Sequence, residues 1–495
     1  MGKILICALA ITGIATAAHA ADLGVDSLKD PVPDNLTWHG VTLYGTIDVG
    51  GVYQTKGAGV SGNYPGGLDY TISGAKGLTH SLTSLGESGM EQSKIGVKIE
   101  EGLGHGWVAV GKLEVAFNPL SGELVDGLGS LVRNNGQIPL AQNSNGDSSR
   151  AGQAFAGPAY AGVSNQTYGT LTFGRQQSLM LDALANYDPQ GLPYAFSILG
   201  YSGFAGGAGD TEVSRWDNSV KYVYQYGPLH AAAMYSDGGA DTGLFGGGYG
   251  FNVGGTYKGF SIDAIYQKEK GAVSASALSQ TACGPALGTV CPNEVSGTIS
   301  DNTAWSVQGK YTFDFGGGFK DEPGSKLTLF AGYENIDMAN PSSPVAAGSE
   351  TLGGYVLYSV NNTNYYTDRV EWIGWGGAKY EVGAWTFTGA YYHYDQAAFL
   401  TGSATGTCTS KTASNVTSSK TPVAAGSSVM KFYGDTTASN CAGTLNDASF
   451  VVDYRFNKHF DVYAGVNYSD VGGGVASGYA ATSQTSFMTG ARLKF

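Results

Sequence analysis

Beyond the first twenty residues the chain carries six histidines, His39, His80, His105, His230, His393 and His459. None sits in an HExxH pair or at any other metal-ligand spacing, so no metal is expected. Gly106 to Lys112 has the G-x4-G-K form of a phosphate loop. Leu113 stands where Ser or Thr would hold magnesium, and both glycines fall inside an alternating strand pattern, so that chemistry fails too. No Ser/His pair presents itself, and neither an enzyme nor a cofactor is expected. Four thiols remain, Cys283, Cys291, Cys408 and Cys441. Three pairings are open; Cys283 with Cys291 and Cys408 with Cys441 is the expected one, each closing a polar loop in an oxidising compartment.

The charges that remain stand in a regular place. Lys94, Lys98 and Glu100 alternate with Ile95, Val97 and Ile99; Lys112 and Glu114 alternate with Leu113 and Val115; Ser219, Lys221 and Gln225 alternate with Val220, Tyr222, Tyr224 and Tyr226. A strand turns successive side chains to opposite faces, so each run is a strand with one polar and one apolar face. Sixteen such segments begin near 41, 91, 105, 157, 169, 216, 229, 248, 259, 302, 326, 369, 384, 448, 459 and 485. Short turns alternate with long loops, such as 177 to 215, 270 to 301 and 395 to 446, rich in Gly, Ser, Thr, Asn and Pro. That combination is the signature of a transmembrane β-barrel. A soluble sandwich also alternates, but a dry core cannot hold so many charges, whereas a water-filled lumen can. Tyr53, Trp107, Tyr226, Tyr257, Tyr333 and Tyr468, near segment ends, suit the girdles at the membrane surfaces.

The 495 residues include 77 Gly and 31 Tyr, with 14% charged. This suits strands and turns rather than helices or disorder. A net charge of −13 and a pI of about 4.9 argue against nucleic acid as a partner. Met1 to Ala20 has a basic start, an apolar stretch and an Ala-His-Ala end, the form of a signal peptide cleaved near Ala20. Residues 21–40 then form a periplasmic lead, and 41–495 the barrel.

Several motifs together resemble the trimeric Gram-negative outer-membrane porins, in the branch that opens on a T-L-Y-G-x-x-D strand. They are Thr42 to Asp48, Ser93 to Lys98, Tyr168 to Gln176, Arg215 to Tyr222, and the ending Gly490 to Phe495. The resemblance implies an all-β fold: a 16-stranded antiparallel transmembrane barrel with an inward-folded third loop, assembled as a homotrimer in outer-membrane lipid. It also implies passive diffusion of ions and small hydrophilic solutes, with Phe495 as the signal read by the barrel-assembly machinery. In the family, acids of the third loop face basic wall residues across a narrow waist, and the transverse field there sets selectivity. Carried over, the acids are Asp182, Asp188, Asp210 and Glu212, and the basic wall is Lys94, Lys98, Lys112 and Arg175. Strict alternation from Phe173 would turn Arg175 outward, so its lumen position requires a bend. Ser178 to Tyr187 reads as a short helix. Two alternatives stay open: a solute-specific, for example sugar-selective, porin using Tyr194, Phe196, Tyr201 and Phe204 as stacking steps, and a barrel whose long loops serve adhesion or recognition.

Overall fold

The computed structural model describes residues 36–55, 81–133, 135–136, 154–200, 215–238, 247–278, 293–316, 324–348, 351–403, 416–417, 429–430, 441–473 and 483–495. Sixteen antiparallel strands close on themselves. They are β1 (Val41–Gln54), β2 in two pieces (Leu82–Glu87 and Lys94–Gly104), β3 (Trp107–Ala116), β4 (Ala159–Asn165), β5 (Gly169–Gln177), β6 (Arg215–Tyr226), β7 (Leu229–Ser236) and β8 (Gly248–Tyr257). The second half holds β9 (Phe260–Ser276), β10 (Glu294–Asp314), β11 (Ser325–Ala339), β12 (Arg369–Val382), β13 (Trp385–Gln396), β14 (Gly443–Arg455), β15 (Phe460–Gly473) and β16 (Ser483–Lys494). Each pairs with its neighbours in sequence, and β16 returns to β1 with Thr46 opposite Lys494 and Gln54 opposite Ser486. Closure leaves no sheet edge, which a membrane requires because lipid offers no hydrogen bonds. Phe495 completes the seam: its N–H and C=O both bond Gly45, at 3.1 and 2.9 Å. The last strand is thereby pinned to the first.

The outer face is apolar. Phe251, Val253, Phe260, Ile262, Val307, Leu329, Phe450 and Phe487 are all exposed there. At the short-turn rim the aromatics form chains, with Trp107 stacked on Tyr168 at 5.8 Å and Trp385, Tyr454, Phe456 and Phe460 linked at 4.6 to 5.6 Å. Tyr226 and Tyr257 project from the same rim. Such rings belong at headgroup level, where one edge is wet and one face greasy.

Three departures from plain alternation have local causes. β2 begins earlier than the pattern indicates and breaks at residues 88–93. There the Asp48 carboxylate accepts hydrogen bonds from the backbone N–H groups of Met90 and Glu91, at 2.7 and 2.9 Å, and draws the chain inward. In β5 the register slips between Gly174 and Gln176, and Gly174 has φ +129. A Cβ at that position would come within 2.4 Å of the Ala159 carbonyl, so only glycine fits the bulge. Phe173 consequently faces out while Arg175 is buried, which is the bend that a lumen-side Arg175 needs. Finally, β9 and β10 run to 17 and 21 residues, so much of the segment expected as a loop between 270 and 301 continues as strand beyond the rim.

That extension is capped by α1 (Gly127–Arg133), from the loop between β3 and β4. Leu128 packs fully buried against Val273, Val295, Ile299, Leu352 and Leu357, and Asn135 bonds the backbone of both Glu294 and Leu278 at 2.7 Å. Because β3 and β10 lie far apart around the barrel, this loop passes over the outer mouth.

A short strand, Leu36–Trp38, pairs with the start of β1 at the end of the expected lead. Residues 1–35, including the expected signal peptide, lie outside the described residues.

Candidate functional site: the loop-narrowed lumen

The chain leaving β5 turns into the barrel. Ser178 caps α2 (Leu179–Tyr187) by accepting the Leu181 N–H at 3.2 Å. Leu179, Met180, Ala183 and Leu184 form one face and pack, with Ile198 and Leu199, on inner-wall residues Met234, Ile265, Ile336, Ile373 and Tyr392. Each such large side chain contributes about 2 kcal/mol on full burial. The loop is held by apolar packing first and by polar latches second.

The latches follow the loop around the wall. The Tyr187 hydroxyl donates to Asp263 on β9 and accepts from Ser261 at 2.7 Å. Trp375 on β12 donates to the Tyr187 carbonyl at 3.0 Å, and Gln190 donates to Ser449 on β14 at 2.9 Å. Phe196 lies edge-on to Tyr463, with Val52, Val451 and Met488 around it, and Ala195 N–H bonds the Gly89 carbonyl at 3.1 Å. The loop therefore lines the wall from β6 round to β15 and meets the inward break of β2. The described part of the third loop, residues 178–200, lies inside the barrel, as expected.

Asp188 takes a different place from the one expected. It is 3% exposed, not an acid of the waist. Its carboxylate accepts from Tyr392 at 2.5 Å, from the Leu192 N–H at 2.7 Å and from the Gln190 N–H at 3.3 Å. A carboxylate just past a helix end satisfies the donors that the turning chain leaves over. Burial pushes its carboxyl up from the ordinary aspartate range, against the pull of those donors.

Asp182 does face the lumen, with its side chain 41% exposed, but its partner is Lys221 on β6 beside the root of the loop. The four expected basic residues each meet a carboxylate on their own wall. Lys94 pairs with Glu91 at 3.1 Å, Lys98 with Glu100 at 2.9 Å, Lys112 with Glu114 at 3.5 Å and Arg175 with Asp217 at 2.7 Å. Lys98 lies four residues from Lys94 toward the short turns, about 13 Å along the strand. Arg175 is 8% exposed and also donates to the Ala156 carbonyl at 3.1 Å, so it fastens the wall and does not line the passage. Asp210 and Glu212 lie outside the described residues, as do Tyr201 and Phe204.

A family model described as Gram-negative porin matches residues 7–474. The chain belongs to that family. The porin is 26% identical over 222 residues to an outer membrane porin protein of Bordetella pertussis, a match covering 45% of this chain and 44% of that one. It thus spans under half the length of the curated relative it matches. Among solved structures it is similar to an anion-selective porin from Comamonas acidovorans, at 16% identity and a TM-score of 0.53, over 92% of this chain and 99% of that one. That likeness shows the fold, a 16-stranded barrel, and the family match places the porin in the outer membrane.

The sequence reading missed some of the porin's lumen charges. Lys221 stood on an already recognised polar face, so the alternation could have named it. Arg492 and Lys494 likewise alternate with Ala491 and Leu493. They converge on Glu91, at 3.7 and 2.9 Å, and Arg492 also binds Asp461 at 3.0 Å and Asp453 at 3.4 Å. Glu91 itself carried no signal, because only the break in β2 turns it inward. Of the aromatic steps, Phe196 is packed on the wall and unavailable for stacking. Cys441, buried just ahead of β14, is disulfide-bonded. Cys283, Cys291 and Cys408 lie outside the described residues.

Proposed function

We propose that this porin is a non-enzymatic, water-filled channel through which ions and small hydrophilic solutes diffuse down their gradients with weak charge preference. The observation that carries the reading is the pairing of the basic residues from β2 to β6. Lys94, Lys98, Lys112 and Lys221 each hold a carboxylate within 3.5 Å. Paired charges keep a passage hydrated while their fields cancel over a few ångströms, so neither ion sign is strongly excluded. Family membership supports a homotrimer in outer-membrane lipid. Met1 to Ala20 is the export signal and residues 21–40 the periplasmic lead. Phe495, pinned to Gly45 at the seam, is the element read by the assembly machinery.

Liposome swelling tests the solute side of this reading. Purified porin reconstituted in liposomes should admit a pentose faster than a hexose, and a hexose faster than a disaccharide, in a graded series set by size. Swelling confined to one sugar would replace the reading with a solute-specific one. No swelling with any of them would remove it.

A further inference from the structure

On the short-turn side of α2 lies a cavity of about 540 Å³ between the helix and the inner wall of β6 to β10. This is within the size range of small-ligand pockets, roughly 300–1,000 Å³. Thr256, Gly259 and Thr312 place its opening beside the short turns, where Thr312 N–H bonds the Gly259 carbonyl at 2.9 Å.

Most of its charges are already matched. One oxygen of Asp263 receives His230 Nε2 at 2.6 Å and Asn252 Nδ2 at 2.7 Å, and the other accepts from Tyr187. Asp182 is paired with Lys221. Lys310 is the exception. Its ammonium donates to the Asn186 carbonyl at 2.9 Å and stands 5.4 Å over the Tyr187 ring and 6.0 Å over that of Phe330, with no carboxylate paired to it among the described residues. A second cation, Lys379, follows on the same inner face. Lys310 is opposite Phe330, Phe330 is opposite Gly377, and Lys379 is two residues further on. The rest of the lining is partly apolar: Leu179, Ala183, Val223 and Ala232. Val223 is 39% exposed, an unusual state for an apolar side chain in an otherwise polar lumen.

We propose that this cavity is a solute subsite for small monocarboxylates with an apolar body, aryl or short aliphatic, held by Lys310 at the carboxylate and by Val223 and Ala232 along the body. Two matched carboxylates in the same lining disfavour a dianion, and Lys310, the one ammonium among the described lining residues, asks for one negative charge, with Lys379 beyond the lining. The proposal rests on the channel reading for its route of entry, from the short-turn side, and deepens it by naming a solute class.

The probe is 4-fluorobenzoate, with neutral 4-fluorobenzyl alcohol as its control, followed by ¹⁹F line broadening on the full-length porin in detergent. Wild type should broaden the benzoate signal and leave the alcohol sharp. Lys310→Met should weaken binding about tenfold, the loss of one charge-assisted hydrogen bond. Ala232→Trp, which fills the cavity and leaves the charge, should weaken it as well. Three-step conductance in KCl shows that each variant has assembled. Equal broadening of benzoate and alcohol, or unchanged broadening in both assembled variants, would overturn the proposal. Failure of the channel reading would appear separately, as wild-type porin that binds benzoate yet carries no current.

Discussion

Asp188→Ala will raise both the single-channel conductance and the open-channel noise of this porin. Just past α2 the loop inside the barrel is latched by that carboxylate, which takes the Tyr392 hydroxyl and the N–H groups of Leu192 and Gln190 in a site that is 3% exposed. Without it, these three donors and the Ser197 hydroxyl, which also bonds the carboxylate, lose that acceptor. Each costs about 1 kcal/mol or more, so roughly 3 kcal/mol or more is withdrawn from the docked loop, comparable with the burial of one or two of its leucines. The segment after α2 then samples positions away from the wall of β12 to β14. Tyr392→Phe should show the same change at smaller amplitude, since it removes one donor and orphans none. Lys98→Gln serves as the contrast. Its pair with Glu100 has both side chains about half exposed, and exposed pairs are worth about 0–1 kcal/mol. Single-channel recordings in KCl check all three. Conductance and noise unchanged in Asp188→Ala would show that apolar packing alone holds the loop.

The second large effect is on ion preference. Asp182→Asn leaves Lys221 uncompensated at the root of the loop, and Lys221→Met leaves Asp182 uncompensated in its place. The two variants should shift the zero-current potential in a KCl gradient in opposite directions, toward anions for the first and toward cations for the second. One unit charge at about 6 Å in water changes an ion's energy by roughly 0.7 kcal/mol, or about threefold in the permeability ratio. Raising the salt should shrink both shifts as screening shortens the field. Shifts of the same sign, or none, would place the pair away from the ion path.

Most of the barrel was legible because its rule is local. Alternation between an apolar lipid face and a polar lumen is written every two residues, and the strands follow it apart from the break in β2 and the bulge in β5. The helix in the third loop was legible in the run Ser178 to Tyr187, where the structure buries Leu179, Leu181 and Leu184 and adds Ser178 as the cap. What alternation cannot carry is a departure from itself. Gly174 hinted at one, since Arg175 could reach the interior only through a bulge. The break at residues 88–93 had no such hint, as it depends on Asp48 reaching across from the neighbouring strand. Asp188 shows a different limit: an acid in a loop that enters the lumen reads as a waist charge unless its distant partner, Tyr392, is known. The local pairing of the basic wall was half visible, because Glu100 and Glu114 sit two residues from Lys98 and Lys112. The family's cross-lumen arrangement drew attention away from those neighbours.

The most direct test of the channel itself is current through purified porin in a planar bilayer over a range of KCl concentrations. A water-filled trimer predicts ohmic steps that close in three equal parts, with conductance rising in proportion to that of the bulk solution. Current that saturates with salt would mean transport through occupied sites instead of open water, and no current at all would contradict the account.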